Sequence, residues 1–350
     1  MARRRIGPRA VVLVGIGALV SLEIGLRTFG SFRNQTQSES DAELGYRLLP
    51  EQSFRTARGT EVRTNSAGFR DGAWTQSSSA ADIAVLGDSV AFGQDVDERA
   101  LWCRVLERSV RLSSAPSTPA YVVRNYAVPG YTLEQMARLW ETSVRAHRPN
   151  IVIVCLAPYS IRPMRERSDP ARVPLRRFLQ RTATYELAER WWRRLDRANA
   201  PEEVLRAELD LRADPFASEN RVWWDRALAR LDALQRDVAA NGGRLVLVAT
   251  PIVEHVVAPP ADSPFAVWAS SVPGVAWIDP AEDLRRAMQP LLVALRESGT
   301  PWTRVWNRFE RDESWQRFAD SSAFFFDDPW HLTELGHRVV GATIARELGL

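Results

Sequence analysis

The chain has 350 residues, 45% of them apolar and 25% charged, with 19 glycines. These values sit near globular averages and exclude a fibrous or wholly disordered protein. The net charge is +3, but all 46 basic side chains are arginine and most are interspersed with acidic residues, so no nucleic-acid-binding face is expected. Two cysteines, Cys103 and Cys155, are too few for a disulfide framework, and the four histidines (His147, His255, His331, His337) have no paired thiolates nearby. Neither a metal site nor another cofactor is therefore expected.

Arg3, Arg4, Arg5 and Arg9 precede an apolar stretch over 10–26 that is broken by Ser21 and Glu23. A positive flank before such a stretch is the layout of a membrane-targeting segment. The stretch is followed by Leu26-Arg27-Thr28-Phe29 rather than a small-x-small cleavage site, so 1–30 reads as an uncleaved signal anchor, a transmembrane helix with the rest of the chain exported to the periplasm or exterior. The run is short for a span, which puts Glu23 at the far interface. A buried amphipathic helix is the competing reading.

Residues 31–81 read as a polar tether and a small extended lobe. Gly45-Tyr46, Gly59 and Asn65-Ser66-Ala67-Gly68-Phe69 mark turns between short alternating segments. After the serine run at 77–79, five apolar runs follow at 83–86, 121–123, 151–156, 245–249 and 275–278. Continuous apolar runs suit strands covered on both faces. Helical stripes separate them: Leu101, Val105, Leu106 and Val110; a segment opened by the Thr132/Gln135 capping box; Trp224, Leu228, Leu231, Leu234 and Val238; and Leu284, Met288, Leu291 and Leu292. This alternation predicts an α/β domain over 82–350 with a doubly wound parallel sheet.

An insertion at about 160–220 carries Arg162, Arg165, Arg167, Arg172, Arg176, Arg177 and a basic cluster at 190–197 around Trp191-Trp192. Such a surface suits anionic lipid headgroups or an acidic polysaccharide. An amphipathic helical pair with core tryptophans fits the same pattern.

Leu86-Gly87-Asp88-Ser89-Val90 places Ser89 at the carboxyl end of the first sheet strand, where open α/β sheets bind ligands. A serine hydroxyl becomes a nucleophile when a histidine accepts its proton and a carboxylate orients that histidine. Near the C-terminus, Asp328 and His331 lie three residues apart in Asp327-Asp328-Pro329-Trp330-His331-Leu332-Thr333, just ahead of a last helix capped by Thr333. Ser89, Asp328 and His331 are the candidate catalytic triad. His255, after the fourth strand, is a candidate pocket residue, and His337 reads as a packing or surface residue of the last helix.

These residues resemble the SGNH/GDSL hydrolase superfamily. Gly87-Asp88-Ser89 looks like its first sequence block, Asn125-Tyr126-Ala127-Val128-Pro129-Gly130 its second, and Asp328-Pro329-Trp330-His331 its last. The resemblance covers 82–350. It implies a flavodoxin-like three-layer α/β/α sandwich with a five-stranded parallel sheet. It also implies an oxyanion hole built from the Ser89 and Gly130 amides.

The third block departs from the family pattern. Where the family shows Gly-x-Asn-Asp, this chain reads Ala157-Pro158-Tyr159-Ser160, so an expected asparagine donor is missing. Losing one oxyanion donor costs about 10²–10³ in rate. Tyr159 and Ser160 are candidate replacements and candidate pocket residues. The reading is a membrane-anchored serine esterase acting on an ester-bearing small molecule, lipid or glycan. An O-acyltransferase of envelope polysaccharide and a non-catalytic binding protein of the same fold are the alternatives.

Overall fold

In this computed structural model the described residues are 8–29, 38–56, 58–74, 82–113, 121–164, 182–185, 187–188, 191, 218–252, 255–256, 263–297, 324–325 and 330–350. The chain opens with helix α1 (Pro8–Phe29). Leu13, Val14, Ile16, Leu19 and Ile24 of this helix are exposed. Among the described residues no helix is long and apolar enough to cross a membrane, so the transmembrane helix expected over 1–30 is not found: the apolar run of α1 is interrupted by Ser21 and Glu23. Glu23 does not need bulk water to satisfy its charge. Its oxygens accept the N–H groups of Ala183 and Thr184 (both 2.9 Å), the Thr184 hydroxyl (2.7 Å) and Arg27 Nε (2.6 Å). The carboxylate thereby serves the unpaired amides that open the short helical segment beginning at Ala183.

The N-terminal lobe consists of two antiparallel pairs, β1 (Ser38–Asp41) with β2 (Gly45–Leu48) and β3 (Ser53–Arg55) with β4 (Glu61–Arg63). The first turn closes because Asp41 Oδ1 accepts the N–H groups of Glu43 and Leu44, both at 2.9 Å. The turn after β4 is built the same way, with Asn65 Oδ1 accepting from Ala67 and Phe69 at 3.0 and 3.1 Å. Gly68 there has φ +86°, and a Cβ would lie 2.6 Å from the Leu48 carbonyl oxygen, so only glycine fits. Leu44, Leu48 and Val62 belong to the same buried cluster as Leu86 and Tyr131. Part of the lobe is thus an extension of the domain core.

The main sheet contains five parallel strands: β5 (Asp82–Leu86), β6 (Val122–Asn125), β7 (Ile151–Leu156), β8 (Arg244–Ala249) and β9 (Ala276–Ile278), in the order β6-β5-β7-β8-β9. All six residues of β7 are buried, which requires cover on both faces. Two groups of helices provide it. In one, α3 (Trp102–Ser113) packs on the C-terminal helix α8 (Glu334–Leu348), which also meets α7 (Ala281–Glu297). In the other, α4 (Leu133–Thr142) packs on α5 (Arg221–Ala240), which also meets α6 (Pro264–Ser271). The expected three-layer α/β architecture is present.

Two sequence expectations about helix ends hold in the structure. Gln135 Oε1 accepts the Thr132 N–H at 3.1 Å at the start of α4, and Thr333 caps α8 by accepting the Gly336 N–H at 3.4 Å. The strand order reverses on either side of β5, which puts the switch point, and hence the ligand crevice, at the carboxyl ends of β5 and β7. Most of the arginine-rich insertion, including Trp192, lies outside the described residues; Trp191 is described and exposed.

Candidate active site

Gly87 follows the end of strand β5, and the lack of a side chain there is a packing requirement. A Cβ would collide with the Ala91 Cβ and stand 3.1 Å from the Cys155 Cβ. The chain then turns directly into a four-residue helix, α2 (Ser89–Phe92). Asp88 caps it, its Oδ1 accepting the Val90 N–H at 2.9 Å. Gly93 ends it in the left-handed region at φ 76°. Ser89 is therefore the first residue of a helix held at both ends. The residue is half-buried at the sheet's carboxyl edge.

Asp88 is 1% exposed. Burial pushes its carboxyl up, opposed by the Tyr159 hydroxyl, the Val90 amide and the nearby His331 imidazole. Tyr159 donates to Asp88 Oδ2 at 2.6 Å, so its hydroxyl is not the spare oxyanion donor that the sequence left open. Ser160 also turns away: it is 1% exposed, and its Oγ accepts the Ala157 N–H at 3.0 Å inside the turn Pro158–Ile161. Both candidate replacements are engaged in building the β7 loop.

His331 arrives from the other end of the chain. A single bridge between Phe325 and Leu332, and a Thr333 N–H to Phe324 carbonyl bond of 2.9 Å, fix the segment just before α8. His331 Nε2 lies 2.9 Å from Ser89 Oγ across 242 residues of sequence. In the tautomer protonated on Nδ1, the serine hydroxyl donates to Nε2, the arrangement a general base requires. Trp330 packs edge-on against Tyr159 at 5.4 Å between ring centroids, tying the histidine segment to the β7 loop. Asp328 lies outside the described residues.

The loop after β6 carries the second amide expected at the site. The Tyr126 and Val128 N–H groups bind the Val85 and Gly87 carbonyls at 2.8 and 3.0 Å, which draws the loop onto the end of β5. Asn125 braces it, donating to the Ala91 carbonyl of α2 at 3.3 Å and accepting the Ala127 N–H at 3.1 Å. Gly130 follows with φ +82°. Among the described residues, no backbone or side-chain acceptor takes the N–H of Ser89 or of Gly130.

Two further residues support the serine, and the sequence reading missed both. Arg70 is 1% exposed and donates to the carbonyls of Phe92, Gly93 and Val96, the backbone around the end of α2. Asp71 beside it accepts the Asn125 N–H at 2.9 Å and Arg104 Nη2 at 2.9 Å. Their one sequence signal is position, immediately after the turn at 65–69.

Two of the other histidines lie on α8 and past the end of β8. His337 is 1% exposed and its Nδ1 accepts the Trp102 N–H, at the start of α3, at 3.0 Å. His255 sits past the end of β8, its backbone carbonyl held by Arg285. Of the expected pocket residues, Ser160 lines a cavity of about 210 Å³ with Ile161, Arg162, Leu133, Trp223 and Arg226. Among the described residues no cluster of three metal-ligating side chains occurs.

No protein-family profile matches the chain, and no curated protein does. Solved structures do resemble it. A putative lipolytic protein of the G-D-S-L family from Desulfitobacterium hafniense is 12% identical, with 76% of this chain and 98% of that one covered and a TM-score of 0.39. A two-domain esterase active on acetylated mannans is 12% identical over 77% of this chain and 49% of its own, at a TM-score of 0.44. The acetylxylan esterase Axe2 from Geobacillus stearothermophilus is 14% identical over 79% and 97%, at 0.41.

Proposed function

We propose that this chain is a serine esterase. The observation that carries the proposal is the 2.9 Å contact of His331 Nε2 with Ser89 Oγ, at the carboxyl end of a parallel strand where such a site belongs. In this mechanism His331 takes the hydroxyl proton as Ser89 Oγ attacks the ester carbonyl. The negative charge that develops on the carbonyl oxygen faces the N–H groups of Ser89 and Gly130. His331 then returns the proton to the departing alcohol, leaving an acyl group on Ser89. Water, deprotonated by the same imidazole, releases the acid and restores the serine. Asp328 orients His331 in this reading, as its position three residues earlier suggests.

The contact also weighs against a protein that keeps the fold only to bind, because such a protein has no need of an imidazole lone pair held against a helix-first serine. A fluorophosphonate probe is expected to modify Ser89 in wild-type protein, and a panel of short and long acyl esters and acetylated glycans is expected to contain a substrate lost in Ser89→Ala. Absence of both label and turnover sinks the proposal. Adding a glycan acceptor to the same assay distinguishes hydrolysis from acyl transfer.

The N-terminal helix supplies membrane attachment in the same proposal, with the catalytic domain on the exported side. Support comes from the arginines before α1 and from the exposed Leu13, Val14, Ile16 and Leu19 along it, an apolar row that water disfavours. Detergent phase partitioning of the full chain tests this: recovery in the aqueous phase overturns it.

A further inference from the structure

Tyr46 lies on β2 of the N-terminal lobe. Its Oη donates to the Pro129 carbonyl oxygen at 2.6 Å across 83 residues of sequence. That carbonyl and the Gly130 N–H belong to one peptide unit, whose atoms are coplanar. Fixing the direction of the carbonyl therefore fixes the direction of the N–H. A hydrogen bond received at the oxygen also polarises the unit and makes its N–H a stronger donor.

The arrangement is built from both sides. Tyr131, 2% exposed, donates its hydroxyl back to the Tyr46 carbonyl at 2.6 Å, and the two rings meet edge-on with centroids 5.3 Å apart. Gln135 Nε2 holds the neighbouring Leu44 carbonyl at 2.9 Å. Gly130 itself adopts φ +82°, and a Cβ there would stand 2.9 Å from Tyr46 Oη. The glycine thus permits both the left-handed turn and the close approach of the tyrosine oxygen.

We infer that Tyr46 is a positioning residue of the oxyanion hole, its hydroxyl orienting and polarising the Gly130 amide from the Pro129 side. The inference rests on the esterase reading above and makes the N-terminal lobe a working part of that site. It also accounts for how a hole without the third-block asparagine stays effective. With the Tyr159 hydroxyl committed to Asp88, the Ser89 and Gly130 amides bear the charge, and the alignment of each counts for more.

Tyr46→Phe keeps the ring and removes the donor. The expected result is a kcat for p-nitrophenyl acetate lowered by about 10- to 100-fold with KM changed by less than about twofold, the pattern of an interaction made in the transition state. Affinity for an alkyl boronic acid, whose tetrahedral adduct on Ser89 places an oxygen in the hole, falls by a similar factor. Tyr131→Phe frees the Tyr46 backbone and gives the same pattern at smaller amplitude, and it carries the test if Tyr46→Phe does not fold. Unchanged kcat and unchanged boronate affinity overturn the inference. So does a loss of kcat matched by loss of folded protein, with boronate affinity per folded molecule intact. Wild-type protein that neither turns over esters nor binds the boronate overturns the esterase reading itself, whereas an active wild type with an unimpaired Tyr46→Phe overturns only the role of Tyr46.

Discussion

Tyr159 donates its hydroxyl to Asp88 Oδ2 at 2.6 Å, joining the loop after β7 to the residue that caps the helix opened by Ser89. The other oxygen of Asp88 takes the Val90 N–H, so both oxygens of this buried carboxylate are committed. The pair stands where the resemblance leads one to expect an asparagine aimed at substrate. Tyr159, at the position where the sequence resemblance implied an oxyanion donor, is instead bonded to the residue that caps α2.

Tyr159→Phe removes a donor from a buried carboxylate and is expected to cost about 1–3 kcal/mol. The pH dependence has a definite sign. Burial already raises the Asp88 pKa above the usual aspartate value and the tyrosine opposes that rise, so the variant's pKa goes higher still. The stability deficit is then largest where Asp88 is ionised and shrinks as pH falls and the carboxyl protonates. Urea unfolding at neutral and mildly acidic pH checks this; a deficit independent of pH contradicts it.

Arg70 is expected to be a stability determinant of the turn that carries Ser89. Its guanidinium serves three backbone carbonyls around the end of α2 and packs over the Phe92 ring at 5.4 Å. Arg70→Met keeps much of the side-chain volume and leaves those carbonyls without a donor in the interior, at a cost of about 3 kcal/mol or more. Thermal unfolding reads the loss. A variant as stable as wild type would show that water takes over the arginine's bonds.

Much of this framework is legible in the sequence, and what is not has physical causes. Strands β5, β7 and β8 are central, buried on both faces, and announce themselves as continuous apolar runs. Strand β6 is an edge strand whose burial alternates, so its pairing continues through Arg124 and Asn125 beyond the apolar run at 121–123. Ser89 and His331 are readable because each sits beside a recognisable element boundary, the end of β5 and the start of α8. Tyr46, Arg70 and Asp71 are not: they act on backbone groups 22 to 83 residues away, and a bond to a backbone carbonyl or amide leaves no mark on the identity of the residue receiving it. Asp88 was in view as part of a motif, but its partner Tyr159 sits where the pattern suggested a different task.

Gly87→Ala tests how closely strand and helix are packed beside Ser89. The added methyl meets the Ala91 Cβ and the Cys155 Cβ together, with Cys155 only 4% exposed and unable to yield space outward. Overpacking of this kind costs about 1–3 kcal/mol, and more where backbone has to move. Ala91→Gly in the same chain removes the worse of the two collisions, so the double variant is expected to recover part of the lost stability and labelling. If the double variant is no better than Gly87→Ala alone, the obstruction lies elsewhere.

His337 gives the protein an acid-sensitive joint between α8 and α3. Its Nδ1 must be unprotonated to accept the Trp102 N–H, and burial, then the charges of Arg70 and His331, push its pKa down to about 3 from an ordinary 6.5. Above 6.5 the histidine is neutral in folded and unfolded chains alike and adds no pH dependence. Below it the unfolded chain takes up a proton that the folded one refuses, so stability falls by up to about 1.4 kcal/mol per pH unit until the folded pKa is reached. His255, pushed down to about 4 by burial, adds a second proton with the same sign. In His337→Gln the amide oxygen replaces the acceptor without titrating. That variant is expected to be less stable than wild type at neutral pH, yet to lose stability less steeply between about pH 6 and pH 4.5, by about one proton in the slope. Denaturant midpoints across this range read the slopes directly, and parallel slopes for wild type and variant would show that His337 titrates normally in the folded protein.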